Sequence, residues 1–88
     1  QCVTQDLDCK VSTDTDKATI SVTNTGNLVA KYVQYTALFF QGDELVYADN
    51  DYVVDSDNEI KAGQTEKAES SCNKKFDSVK VYLNGSAY

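Results

Sequence analysis

The side chains in this sequence that could do chemistry are mostly carboxylates. The densest cluster joins Asp49-Asn50-Asp51 to Asp55-Ser56-Asp57-Asn58-Glu59. Asp55, Asp57, Glu59 and Glu66 fall at offsets 1, 3, 5 and 12, the spacing of a calcium-binding loop. Such a loop needs glycine at offset 6 for its sharp bend, and Ile60 stands there. The flanking segments also read as strands rather than helices. Asp55, Asp57 and Glu59 therefore stay a weak calcium candidate, beside the plainer reading of a solvated acidic loop that aids solubility. Asp6 with Asp8, Asp14 with Asp16, and Asp43 with Glu44 form close carboxylate pairs. Acid–base work needs one carboxyl desolvated in a cleft, and these lie in turns or polar edges. The chain has no His, Arg, Trp, Met or Pro. The usual triads and imidazole bases are absent, and Cys2, Cys9 and Cys72 have no base to activate them. No catalytic residue, metal site or cofactor is assigned, and the chain is read as a non-enzyme.

Tyrosine is the unusual abundance, six in 88 residues. Alternation puts Tyr35 inside and gives Tyr32 and Tyr82 the outward parity. If the long central strand and the last strand share a sheet, Tyr32, Thr36, Leu38, Phe40, Lys80 and Tyr82 form one partly aromatic outer face. Exposed apolar residues scattered singly need no explanation, but several on one face suggest binding. A one-residue slip in register would bury this set and expose the other.

The elements that must position these groups are strands. Val, Ile and Thr number 20, and Tyr and Phe add nine, while no segment sustains a helical repeat. Leu7 to Ser12 reads as an edge strand and Ala18 to Thr23 as the first clear one. Asn24-Thr25-Gly26-Asn27 is a turn, and Val29 to Gln41 is the longest and most apolar run. Gln41-Gly42-Asp43 turns into Glu44 to Ala48, followed by Tyr52 to Val54, then Gln64 to Cys72 after the Ala62-Gly63 turn. Val79 to Leu83 is the last strand, and Asn84-Gly85-Ser86, a glycosylation sequon by pattern, reads as a turn. About seven short strands at this spacing predict an all-β, two-sheet antiparallel sandwich in one domain, residues 1–88. Ile20, Val22, Val33, Tyr35, Phe39, Val79, Val81 and Leu83 are its expected core.

From Ile20 onward the order of features resembles the FxLYD-type domains of bacterial and archaeal envelope proteins. The likeness rests on Ile20-Ser21-Val22-Thr23-Asn24-Thr25-Gly26, Ala37-Leu38-Phe39-Phe40-Gln41, Ile60-Lys61-Ala62-Gly63-Gln64-Thr65 and Phe76-Asp77-Ser78-Val79-Lys80-Val81. Ala62 stands where that family has proline, and Ala37 and Gln41 replace the phenylalanine and aspartate of its name motif. The resemblance implies a small immunoglobulin-like sandwich and no shared catalytic site.

Net charge is −6 and every base is Lys, so a phosphate backbone would be repelled and no nucleic-acid partner is expected. No apolar run reaches the ~20 residues of a membrane span. The chain opens on Gln1 rather than Met, as a processed product or excised domain would, and the cysteines fit an extracytoplasmic setting. Sandwich topology places Cys72 near the start of the Ala18–Thr23 strand. Cys9 reaches that start through the Ser12–Lys17 turn, so a Cys9–Cys72 disulfide is expected, with Cys2–Cys72 as alternative. The sum is a non-catalytic interaction or spacer module of a secreted or cell-surface bacterial protein, its protein or glycan partner unidentified. The alternative is a carbohydrate-binding module that stacks exposed tyrosines on sugar rings.

Overall fold

The computed structural model describes residues 6–55 and 58–87. Six strands run in chain order: β1 (Leu7–Thr13), β2 (Lys17–Asn24), β3 (Tyr32–Gln41), β4 (Glu44–Val54), β5 (Thr65–Ser71) and β6 (Ser78–Ala87). They form two three-stranded antiparallel sheets, ordered β1-β2-β5 and β4-β3-β6. No helix occurs among the described residues.

Period-two alternation sets which side chains meet between the sheets. Leu7, Cys9, Ile20 and Val22 from one sheet face Val33, Tyr35, Phe39 and Val81 from the other, all at most 4% exposed. Phe39 anchors one end, with the Phe76 ring edge-on at 4.9 Å. Ile60, expected to lie in a loop, is fully buried, held by an isolated bridge to Ala30.

The expectation of seven strands fails in the acidic run 49–51. Asp49, Asn50 and Asp51 are turn-forming residues, yet they pair with Ala37, Thr36 and Tyr35, so Glu44–Val54 is one strand. Irregularities near Phe39 and Val33 twist the pair and absorb the extra residues. Gly42, at φ +62°, closes the β3–β4 hairpin in a conformation that glycine adopts without strain. Asn84-Gly85-Ser86, expected as a turn, continues β6, with a register shift between the Gln34–Gly85 and Tyr35–Leu83 pairs.

The Cys9–Cys72 disulfide is not formed. Cys72 keeps a free, buried thiol, which donates to the Lys74 carbonyl at 3.4 Å. The reason is register. Cys9 pairs with Val22 near the end of β2, whereas the Cys72 amide bonds to the Asp16 carbonyl just before β2 begins. Six residues at about 3.3 Å each, plus two interstrand spacings, put them roughly 20 Å apart, far beyond disulfide reach. The mistake lay in taking Cys9 to sit by the β1–β2 turn, when it stands at the opposite end of its strand. Cys2 lies outside the described residues.

Two of the expected core residues, Val79 and Leu83, are only partly buried. Both stand on β6, which pairs with β3 on one side and, among the described residues, with no strand on the other.

Candidate functional site

The outward parity of the β4-β3-β6 sheet collects the side chains that sequence alternation assigned to one face. Tyr32 and Tyr82 are exposed, at 37% and 50%, and Lys80 is exposed beside them. Thr36, Leu38 and Phe40 are half-buried between the flanking strands. Register fixes the rows: Thr36 lies between Asn50 and Tyr82, Leu38 between Ala48 and Lys80, and Phe40 between Leu45 and Ser78. The Lys80 ammonium sits over the Phe40 ring, 5.5 Å from its centre. That geometry suits a cation–π contact, and the lysine stem covers apolar surface. Thr36 donates its hydroxyl to the Asn50 side-chain oxygen.

Reading β4 as two short strands left two members of this face unrecognised. Tyr52 pairs with Gln34 and sets its ring edge-to-face against Tyr32, 5.0 Å between centres at 68°. The Tyr32 hydroxyl donates to that of Tyr52 at 2.9 Å, and this hydrogen bond, with partial burial, raises the Tyr32 pKa. Leu45, 50% exposed, extends the face beside Phe40. Continuing the alternation of β3 into a single long partner strand would have found Tyr52; Leu45 has the opposite parity and reaches this face only through the irregularity between Phe39 and Phe40.

Asp49 turns inward instead. Its carboxylate accepts a 2.6 Å hydrogen bond from Ser70 on β5 and a long one, 3.5 Å, from the Tyr35 hydroxyl on β3. One carboxylate thus links the two sheets on the β4–β5 side. The acidic run hid it, because a solvated loop and a strand with one inward aspartate have the same composition. Burial, then the charges of Asp49 and Asp51, push the Tyr35 phenol up to about 12. A phenol raised above its unfolded value near 10 stabilises the fold fully below pH ~10 and loses that contribution as pH rises through 12. Two units correspond to at most ~3 kcal/mol, less where water reaches Asp49. We therefore expect the urea midpoint to fall more steeply between pH 9 and 11.5 in the parent than in Tyr35→Phe. Parallel curves would show that Tyr35 titrates normally.

The acidic loop does not assemble a cation site among the described residues, where no three Asp, Glu or Cys side chains converge as ligands. Asp55 and Asn58 bond to one another, the Asp55 amide donating to the Asn58 side-chain oxygen and the Asn58 amide to the Asp55 carbonyl. Glu59 is exposed, and Glu66 pairs with Val22 inside a sheet rather than closing the loop. Asp57 lies outside the described residues.

A groove of about 420 Å³ follows the outer edge of β6, lined by Ser78, Val79, Lys80, Val81 and Tyr82. Compared with family models, curated proteins and solved structures, the chain matches none. The site is therefore read from its own geometry. Among the described residues no helix is long and apolar enough to cross a membrane.

Proposed function

We propose that this chain is a non-catalytic interaction module that engages a partner through the outer face of the β4-β3-β6 sheet. The observation that carries the reading is the concentration of Tyr32, Tyr52, Tyr82, Leu45 and Phe40 on that face, with Lys80 among them. Exposed aromatics grouped on one sheet face are typical of protein interfaces, where large rigid rings bury area at small entropic cost. Strand order supports an immunoglobulin-like sandwich, since β1-β2-β5 and β4-β3-β6 follow the A-B-E and C′-C-F neighbours of that architecture. That order also agrees with the FxLYD-type resemblance, which remains part of the proposal.

Placement in a secreted or cell-surface bacterial protein belongs to the same proposal. Cys9 has no titrating thiol and Cys72 is excluded as its partner. This supports a bridge made elsewhere and an oxidising compartment. The glycan-binding alternative is less well served. Sugar stacking needs an open ring face, and Tyr32 and Tyr52 pack edge-to-face with their hydroxyls bonded to each other.

The test compares the parent with a Tyr32→Ser, Tyr52→Ser, Leu45→Ser variant, using immobilised protein against the surface and secreted proteins of its own source. A specific protein retained by the parent and lost by the variant, with melting unchanged, supports the reading. Identical binding profiles overturn it in favour of a spacer, and selective capture on a glycan array overturns it in favour of the carbohydrate module.

A further inference from the structure

Among the described residues the two sheets expose four edges, those of β1, β5, β4 and β6. Natural sheets protect edges with charge, because an unpaired row of amides and carbonyls templates further pairing. Three edges here are protected. β4 carries Glu44, Asp49 and Asp51; β5 carries Glu66, Lys67 and Glu69; β1 carries Asp8 and Lys10. Between Ser78 and Leu83, β6 carries Lys80 alone. The two open sides of the sandwich differ as well. On the β4–β5 side, Ser70 bonds across to Asp49. On the β6 side runs the groove, with Val79 and Leu83 left partly exposed. An immunoglobulin sandwich carries its last strand in this position, beside F.

We propose that the β6 edge pairs with β6 of a second copy of this chain, antiparallel, about a two-fold axis through Val81. The strand is self-complementary in that register. Val79 stands opposite Leu83 of the second copy and Val81 opposite Val81, so the inward apolar rows continue from one sandwich into the next. On the outer face, Lys80 stands opposite Tyr82 of the second copy, twice by symmetry, and no like charges meet. Self-pairing through β4 would instead crowd its acids together in a chain of net charge −6. The product is one continuous sheet in the order β4-β3-β6-β6-β3-β4, presenting the two tyrosine-bearing faces side by side. A contact made through strand edges is small, under about 1,200 Å², so the dimer forms reversibly with concentration.

Analytical ultracentrifugation over a concentration series tests this, and it needs no binding partner. The parent is expected to pass from monomer to dimer. Tyr82→Lys sets Lys opposite Lys80 twice and is expected to abolish the dimer. The exposed position of residue 82 leaves the monomer's melting unchanged. Tyr82→Lys combined with Lys80→Glu sets opposite charges across the axis and is expected to restore dimerisation. Two results overturn the proposal: a monomer at every concentration, which leaves the edge to a strand from another protein, or a Tyr82→Lys variant that dimerises like the parent. Tyr32→Ser with Tyr52→Ser, on β3 and β4 rather than on the β6 edge, leaves self-association intact whatever it does to partner binding.

Discussion

Replacing Asn24 with Ala is expected to destabilise the fold by about 3 kcal/mol, a large share of what a domain this size possesses. Asn24 is fully buried at the end of β2, and its side chain makes three hydrogen bonds. Its amide donates to the Leu28 carbonyl at 2.6 Å and the Ile60 carbonyl at 2.9 Å, and its oxygen accepts from the Gly26 amide at 2.9 Å. The backbone adds two bonds, to the Gln64 carbonyl and from the Gly63 amide. One residue thus holds the 24–30 turn against the segment that carries Ile60 into the core. Truncation removes three hydrogen bonds: the buried Ile60 carbonyl keeps only the Ala30 amide, and the part-buried Leu28 carbonyl and Gly26 amide lose their Asn24 partner. At about 1 kcal/mol for each bond lost, the three together give the expected cost.

Asn24→Asp makes the diagnosis specific. The size is kept, but a carboxylate would face two carbonyl oxygens, so its pKa in the fold must rise above the ordinary value. Stability is then highest at low pH, where a protonated acid can still donate one bond, and declines as pH rises through the raised pKa. Chemical denaturation at pH 4 and pH 7 checks this: the parent-to-variant gap should widen at pH 7. An equal gap at both values would mean that the amide's donors do not hold the turn.

Composition and alternation made much of this fold legible. β2 and β3 alternate without interruption, and the burial of Ile20, Val22, Val33, Tyr35 and Phe39 follows from parity alone. The same parity set Tyr32, Thr36, Leu38, Phe40, Lys80 and Tyr82 outward. What was not legible depends on contacts distant in sequence. Asp49-Asn50-Asp51 has the local chemistry of a turn, and only pairing with the long apolar β3 draws it into a strand. The inward, half-buried carboxylate of Asp49 is intelligible only once Ser70, twenty-one residues later, comes within hydrogen-bond reach. Asn24 likewise reads as turn chemistry, which is correct for the backbone and silent about the carbonyl of Ile60. The cysteines went astray because disulfide geometry depends on the level of a residue along its strand, and topology alone does not supply that.

A second large effect separates the closed core from the open edge. Ile20→Ala is expected to cost about 2–4 kcal/mol, since Ile20 is fully buried in the central strand of its sheet, between Val11 and Ala68. Val81→Ala, at 2% exposure, should follow it with a smaller loss because fewer methyl groups are removed. Val79→Ala is the informative contrast. Val79 has the same parity as Val81 and lies two residues away, yet it is only partly buried. At low protein concentration its truncation should cost under about 1 kcal/mol, because the lost methyls already touch water and leave no closed cavity. If a second copy covers the β6 edge, those methyls become buried, and the Val79→Ala penalty grows as concentration rises while that of Ile20→Ala does not. Thermal melts of the three variants at two concentrations, a hundredfold apart, read both quantities. An Ile20→Ala melt within a degree or two of the parent would contradict the inward assignment of β2. A Val79→Ala penalty as large as that of Val81→Ala in the dilute sample would mean that the edge is already closed within the monomer.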